Sequence, residues 1–140
     1  MTAKEYLSQA FTLRRIIKAK ESRIQDLRDR QQQVSSVLTG IKIRSGARDK
    51  AAEVTASMLD LINECQNDIE RLLCLQSEME SVINKVERSD LRLILYERYV
   101  NLKRWEDVAA DNGFSWNTVH RKHSEALKKV DMESHTLDML

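Results

Sequence analysis

The chain has 140 residues, a formal net charge of +1, no proline, three glycines, 32% charged residues and only 5% aromatic ones. Rings are too few for a bulky globular core, and no apolar run approaches the roughly 20 residues that cross a bilayer. With no proline to break them, long helices are the expected element, and the near-balanced charge by itself neither favours nor excludes nucleic acid.

The opening MTAKEYLSQAF has one early lysine and no apolar stretch of signal-peptide length, so the expected location is the cytoplasm. From there a seven-residue row runs through Ala3, Ala10, Ile17, Ile24, Gln31 and Leu38, beside Tyr6, Leu13, Lys20, Leu27 and Val34. A second segment repeats the pattern with Ala51, Met58, Cys65, Leu72, Met79 and Val86, beside Val54, Leu61, Leu75 and Val82. Ile62, Ile69 and Ile83 widen that stripe. Thr39–Arg48, with Gly40 and Gly46 as breakers, separates the two. Residues 1–87 therefore read as a long, coiled-coil-like antiparallel helical hairpin. Gln31, Lys20 and Asp68 fall in seam positions, where polar groups are either solvated edges of an imperfect coil or devices that fix register. Leu7, Phe11, Ile16, Leu59 and Leu73 lie off the main rows and need cover, which a four-helix dimer core or docking on another protein supplies; a homodimer is the favoured expectation.

Cys65 and Cys74 lie on one predicted helix, with backbones about 13 Å apart, too far for a mutual disulfide. Neither belongs to a metal-ligand cluster.

The second unit, residues 88–131, starts at Ser89-Asp90, where Leu91, Ile94, Leu95 and Tyr99 recur at helical spacing. This predicts a first helix over Leu91–Val100, joined by Leu102-Lys103-Arg104 to a short helix opening at Trp105. Trp105 should be core, packing toward Leu95 or Tyr99. Small Ala109 and Ala110 allow close helix approach, and Asn112-Gly113 ends the helix because glycine accepts the left-handed conformation there. Phe114 plugs the turn and Ser115 caps the next helix, Ser115–Lys129. The arrangement is a three-helix helix-turn-helix unit, whose second motif helix enters a DNA major groove. The chain is thus expected to be all-α: the hairpin, this unit, and a flexible tail over 132–140.

At 100° per residue, Val119, His123, Ala126 and Val130 share an inward face, leaving Asn117, Arg121, Ser124 and Lys128 outward with His120 alongside. Arg121 suits guanine and Asn117 suits adenine, each by a bidentate pair. Trp116 and Thr118 sit in the first turn, which enters the groove most deeply; Trp116 is divided between groove contact and packing at the domain edge. The backbone amides after Ser115 can hold a phosphate. His120 is assigned to phosphate, and Lys103 and Arg104 to the flanking backbone. Between Arg88 and Val130 there are nine Lys or Arg against six Asp or Glu, a mild excess that predicts salt-sensitive attraction.

The tail LRLILYERYVNLKRWEDVAADNGFSWNTVHRKHSEALKKV resembles the region-4 helix-turn-helix of bacterial sigma factors. A long helical segment followed by RYVNLKRWEDVA and VHRKHSEALKKV is similar, over nearly the whole chain, to small phage-encoded transcriptional regulators of the RinA/ArpU type. That resemblance implies sequence-specific promoter or operator binding to double-stranded DNA in a phage or prophage setting, with host RNA polymerase as a further partner. The alternative is a coiled-coil adaptor that binds polymerase or another protein without reading bases. No phosphate-cradling glycine loop, nucleophile-base pair or HExxH run is present, so no enzyme, cofactor, metal or small-molecule substrate is expected.

Overall fold

The structure, a computed structural model, describes residues 1–38 and 45–138, with side chains over 1–33 and 48–131. All secondary structure among the described residues is helical: α1 (Ala3–Leu38), α2 (Ser45–Ile83), α3 (Ser89–Leu95), a π-helical turn (Tyr96–Val100), α4 (Trp105–Asn112) and α5 (Trp116–Asp138). The all-α expectation holds. Three boundaries differ from it. Helix α2 begins at Ser45, so Gly46 lies in its first turn, while Gly40 falls outside the described residues. The helix expected over Leu91–Val100 is α-helical only to Leu95, and α5 continues to Asp138, past the point where the tail was expected to begin. No helix among the described residues is long and apolar enough to cross a membrane.

Two compact units divide the chain, Met1–Thr12 with Leu72–Leu140, and Leu13–Arg71. The division does not fall at Glu87–Ser89, because the ends of the hairpin helices share a core with the helix-turn-helix. In that first unit Leu7, Ala10, Met79, Ile83 and Val86 bury together with Leu91, Leu95, Tyr99, Ala126 and Val130. Leu7 and Phe11, which sit off the seven-residue rows, face this core rather than a second copy: Leu7 is fully buried and Phe11 packs on it. Each large aliphatic side chain so buried contributes about 1.5–3 kcal/mol. Helix α1 is fastened at its start by a capping box. The Glu5 amide donates to Thr2 Oγ1 and the Thr2 amide to the Glu5 carboxylate, both at 3.2 Å. The Ala3 amide donates to Asp131 Oδ1 at 2.9 Å, tying α5 to the same helix end.

The second unit is the antiparallel pairing of α1 with α2, in which Ile17, Ile24, Leu27 and Cys65 are buried. Its polar seam residues are not solvated edges. Lys20 donates to Asp68, which is only 7% exposed, and lies 3.6 Å from Glu64. Gln31 Nε2 donates to Thr55 Oγ1 at 3.0 Å. Both pairs exist in one alignment of the two helices only, which makes them register devices.

Candidate nucleic-acid interface

The turn between α4 and α5 follows from three adjacent residues. Gly113 is left-handed, with φ 67°, and the Phe114 amide reaches back to the Ala109 carbonyl at 2.9 Å while the Gly113 amide reaches Ala110 at 3.4 Å. This is the paired closure of a Schellman motif. Ser115 then caps α5: its Oγ accepts from the Thr118 amide at 3.2 Å and its hydroxyl donates to Thr118 Oγ1 at 2.8 Å. The side chains of Ser115 and Thr118 are therefore occupied in starting the helix.

Helix α4 is approached through a strained connection. The Asn101 amide bonds to the Tyr96 carbonyl at 3.1 Å, one residue beyond an α-helical bond, and Gln76 Nε2 caps the Val100 carbonyl at 2.8 Å. Leu102 follows in the left-handed region at φ 56°, a conformation that costs a non-glycine residue on the order of 1 kcal/mol. Arg98 holds this bend, donating to the Lys103 carbonyl at 2.7 Å while its guanidinium lies 4.2 Å from the Phe11 ring centre and 4.7 Å from that of Trp105.

On α5, Val119, His123, Ala126 and Val130 are buried as the helical wheel requires. Asn117, Arg121, Ser124 and Lys128 are exposed on the opposite side, as expected of them. Arg121 and Lys128 have no ion-pair partner among the described residues. The acidic groups nearest in sequence are occupied, Glu125 by Arg88 at 2.7 Å and Asp131 by the start of α1. Lys122 is likewise committed, to Asp90 and over the Phe114 ring at 5.4 Å. Arg88 and Lys122 hold the Asp90 carboxylate well below its ordinary range, at about 2, chiefly through the Lys122 hydrogen bond. What remains outward is an uncompensated positive row with one amide and one hydroxyl.

Three other assigned residues have partners within the fold. Lys103 is clamped between Glu97 at 3.4 Å and Asp111 at 3.0 Å, and Arg104 pairs with Asp107 at 3.3 Å and Glu106 at 3.7 Å. Both were expected at flanking phosphates; in this structure they pair with acidic groups of α4 and, for Lys103, of the turn before it. His120, also assigned to phosphate, is wedged between rings, 4.4 Å from Trp116 and 5.0 Å from Trp105 by centroid. Its Nε2 is the one buried side-chain nitrogen or oxygen without a hydrogen-bond partner among the described residues. Trp105 meets His123 at 4.5 Å, and His123 meets Tyr99, which meets Phe11 at 6.0 Å. A continuous row of rings thus runs from the first turn of α5 to α1. Trp116 ends it, packed on His120 yet still 52% exposed. The i, i+4 spacing of Trp116 and His120 signals this row; the pairing of His123 with Trp105 and Tyr99 needs the tertiary fold.

Among the described residues no cluster of His, Cys, Asp or Glu is arranged to hold a metal ion. The fold and this surface define an all-helical protein with a Gly-turned helix pair that presents one polar, basic helix face. The chain belongs to the family of proteins of unknown function DUF1492, which it matches over residues 32–131, a span that contains every residue of the candidate interface. Neither a curated protein nor a solved structure matches it significantly.

Proposed function

We propose that this protein is a sequence-specific DNA-binding transcriptional regulator, of phage or prophage origin, that lays α5 in the major groove. The observation that carries the reading is the outward row Asn117, Arg121, Ser124 and Lys128: exposed, polar, basic, and without ion-pair partners among the described residues while the neighbouring Glu125 and Lys122 are paired. Exposed polar and basic side chains on the outer face of the second motif helix are what base reading in this motif requires, which supports the proposal. Trp116 adds a flat apolar surface at the helix start. The resemblance to RinA/ArpU-type regulators and to sigma region 4 supports the same reading and supplies the phage setting.

The test is selection from a randomised duplex pool at low salt with purified full-length protein. The wild type should enrich one motif, and Arg121→Ala should lose that preference while keeping residual, salt-sensitive binding. If no sequence is enriched and no duplex is retained at low salt, the protein works as an adaptor on RNA polymerase or another protein, and the DNA reading falls.

A further inference from the structure

The pairing of α1 with α2 leaves an open groove of about 330 Å³, lined on α1 by Glu21, Ile24, Gln25 and Arg28 and on α2 by Ile62, Cys65, Gln66 and Ile69. The two walls carry the same spacing, i, i+3, i+4 and i+7, so each is a straight ridge along its helix. Their chemistry is ordered. On α1 the ends of the ridge are opposite charges, Glu21 and Arg28; on α2 both ends are isoleucine. Glu21 and Arg28 are exposed and neither has an ion-pair partner among the described residues. Ile69 is 37% exposed, and Leu59, further along the same side of α2, is 54% exposed.

We propose that this groove face is a homodimer interface, in which a second copy packs on it about a two-fold axis perpendicular to the helices. Such an axis crosses α1 between Ile24 and Gln25 and α2 between Cys65 and Gln66, the midpoints of the two ridges. It stacks α1 on an antiparallel α1 and α2 on an antiparallel α2, an all-antiparallel four-helix arrangement. The operation exchanges the ends of each ridge. Glu21 of one copy therefore meets Arg28 of the other, twice, and Ile62 meets Ile69, twice. Gln25 and Gln66 lie near the axis, where two amides from two copies donate to and accept from each other. The α1 ridge is thus its own electrostatic complement, which an isologous interface requires. A two-fold parallel to the helices puts each charge against an isoleucine and leaves the charges unmatched. This inference stands apart from the DNA-binding reading.

The test is sedimentation equilibrium of the full chain at low ionic strength, across micromolar concentrations. The wild type should dimerise. Glu21→Arg and Arg28→Glu should each raise the dimer dissociation constant by about tenfold or more, because each turns two attractions into two repulsions. The double reversal, Glu21→Arg with Arg28→Glu, should restore the wild-type constant, and Ile69→Lys should weaken it without rescue by salt. All three positions are exposed, so unchanged helical circular dichroism checks the fold. A monomeric wild type, single reversals without effect, or a double reversal that fails to rescue would each overturn the proposal.

Discussion

Tyr99 Oη lies 2.7 Å from His123 Nε2, both groups buried between the π-helical turn and α5. Burial first, and then the positive charges of Lys4, His120 and Arg98, push the His123 imidazole down to about 4; burial pushes the Tyr99 phenol up to about 12. Both are neutral at pH 7. The unfolded chain binds a proton at His123 near pH 6.5, and the folded chain does so only near pH 4. Stability from this site is therefore complete above pH 6.5 and is lost as pH falls from there through 4, by about 3 kcal/mol in all. Thermal unfolding between pH 7 and pH 4 should show that fall, and His123→Gln should flatten it whatever its own melting temperature.

Asp90 governs a lower window. Its carboxylate, held at about 2 by Lys122 and Arg88, contributes stability above pH 4 that disappears as pH falls toward 2. With a side chain 30% exposed, it is screened by water, so Asp90→Asn should cost no more than about 1 kcal/mol at pH 7. The difference from wild type should close as pH approaches 2; a difference that persists there would assign the loss to something other than charge.

The helices, the Gly113 turn, the Ser115 cap and the outward row of α5 were legible because each rests on local chemistry or on a single period. The partners of Lys103 and His120 were not, because tertiary packing chooses them, and the local pairing of Arg104 with Glu106 and Asp107 competes with any outward role without a periodic signal. Lys103 finds Asp111 one helix later, and His120 lies against Trp105 across the turn. The boundary of the units was hidden for a related reason. Leu7 and Phe11 break the seven-residue pattern of α1, and nothing in that pattern says that the covering surface is Leu91, Leu95 and Tyr99 rather than another copy.

At Gly113, backbone conformation can be separated from packing. A Cβ there would meet nothing within 4 Å, yet φ is 67°. Gly113→Ala should therefore cost about 1 kcal/mol from the left-handed conformation alone. Gly113→Asn should cost less, since asparagine tolerates that region. Equal losses in chemical unfolding would mean that the turn opens instead of straining.

The part-buried Lys20–Asp68 pair separates register from stability. Asp68→Ala should destabilise the α1–α2 pairing, since it leaves Lys20 without its carboxylate in the seam. Replacing both with leucine should recover most of the loss while relaxing alignment of the helices. Cysteine cross-linking between Gln31 and Thr55 reports that alignment: these partners are 3.0 Å apart in the native register. Cross-linking that stays confined to that pair in the double-leucine variant would remove Lys20 and Asp68 from the role of register devices.

Lys103 and Lys128 carry the same charge and should fail differently. Lys103 is spent on Glu97 and Asp111, so Lys103→Ala should lower the melting temperature and affect DNA affinity only through the fold. Lys128 is exposed and uncommitted, so Lys128→Ala should leave the melting temperature unchanged. On the DNA-binding reading it should weaken all duplexes alike and reduce the slope of log affinity against log salt by about 1. Salt titrations of the two variants on one duplex decide between them. A reduced slope for Lys103→Ala, with none for Lys128→Ala, would place the phosphate contact at the start of α4 and move the interface away from the outer face of α5.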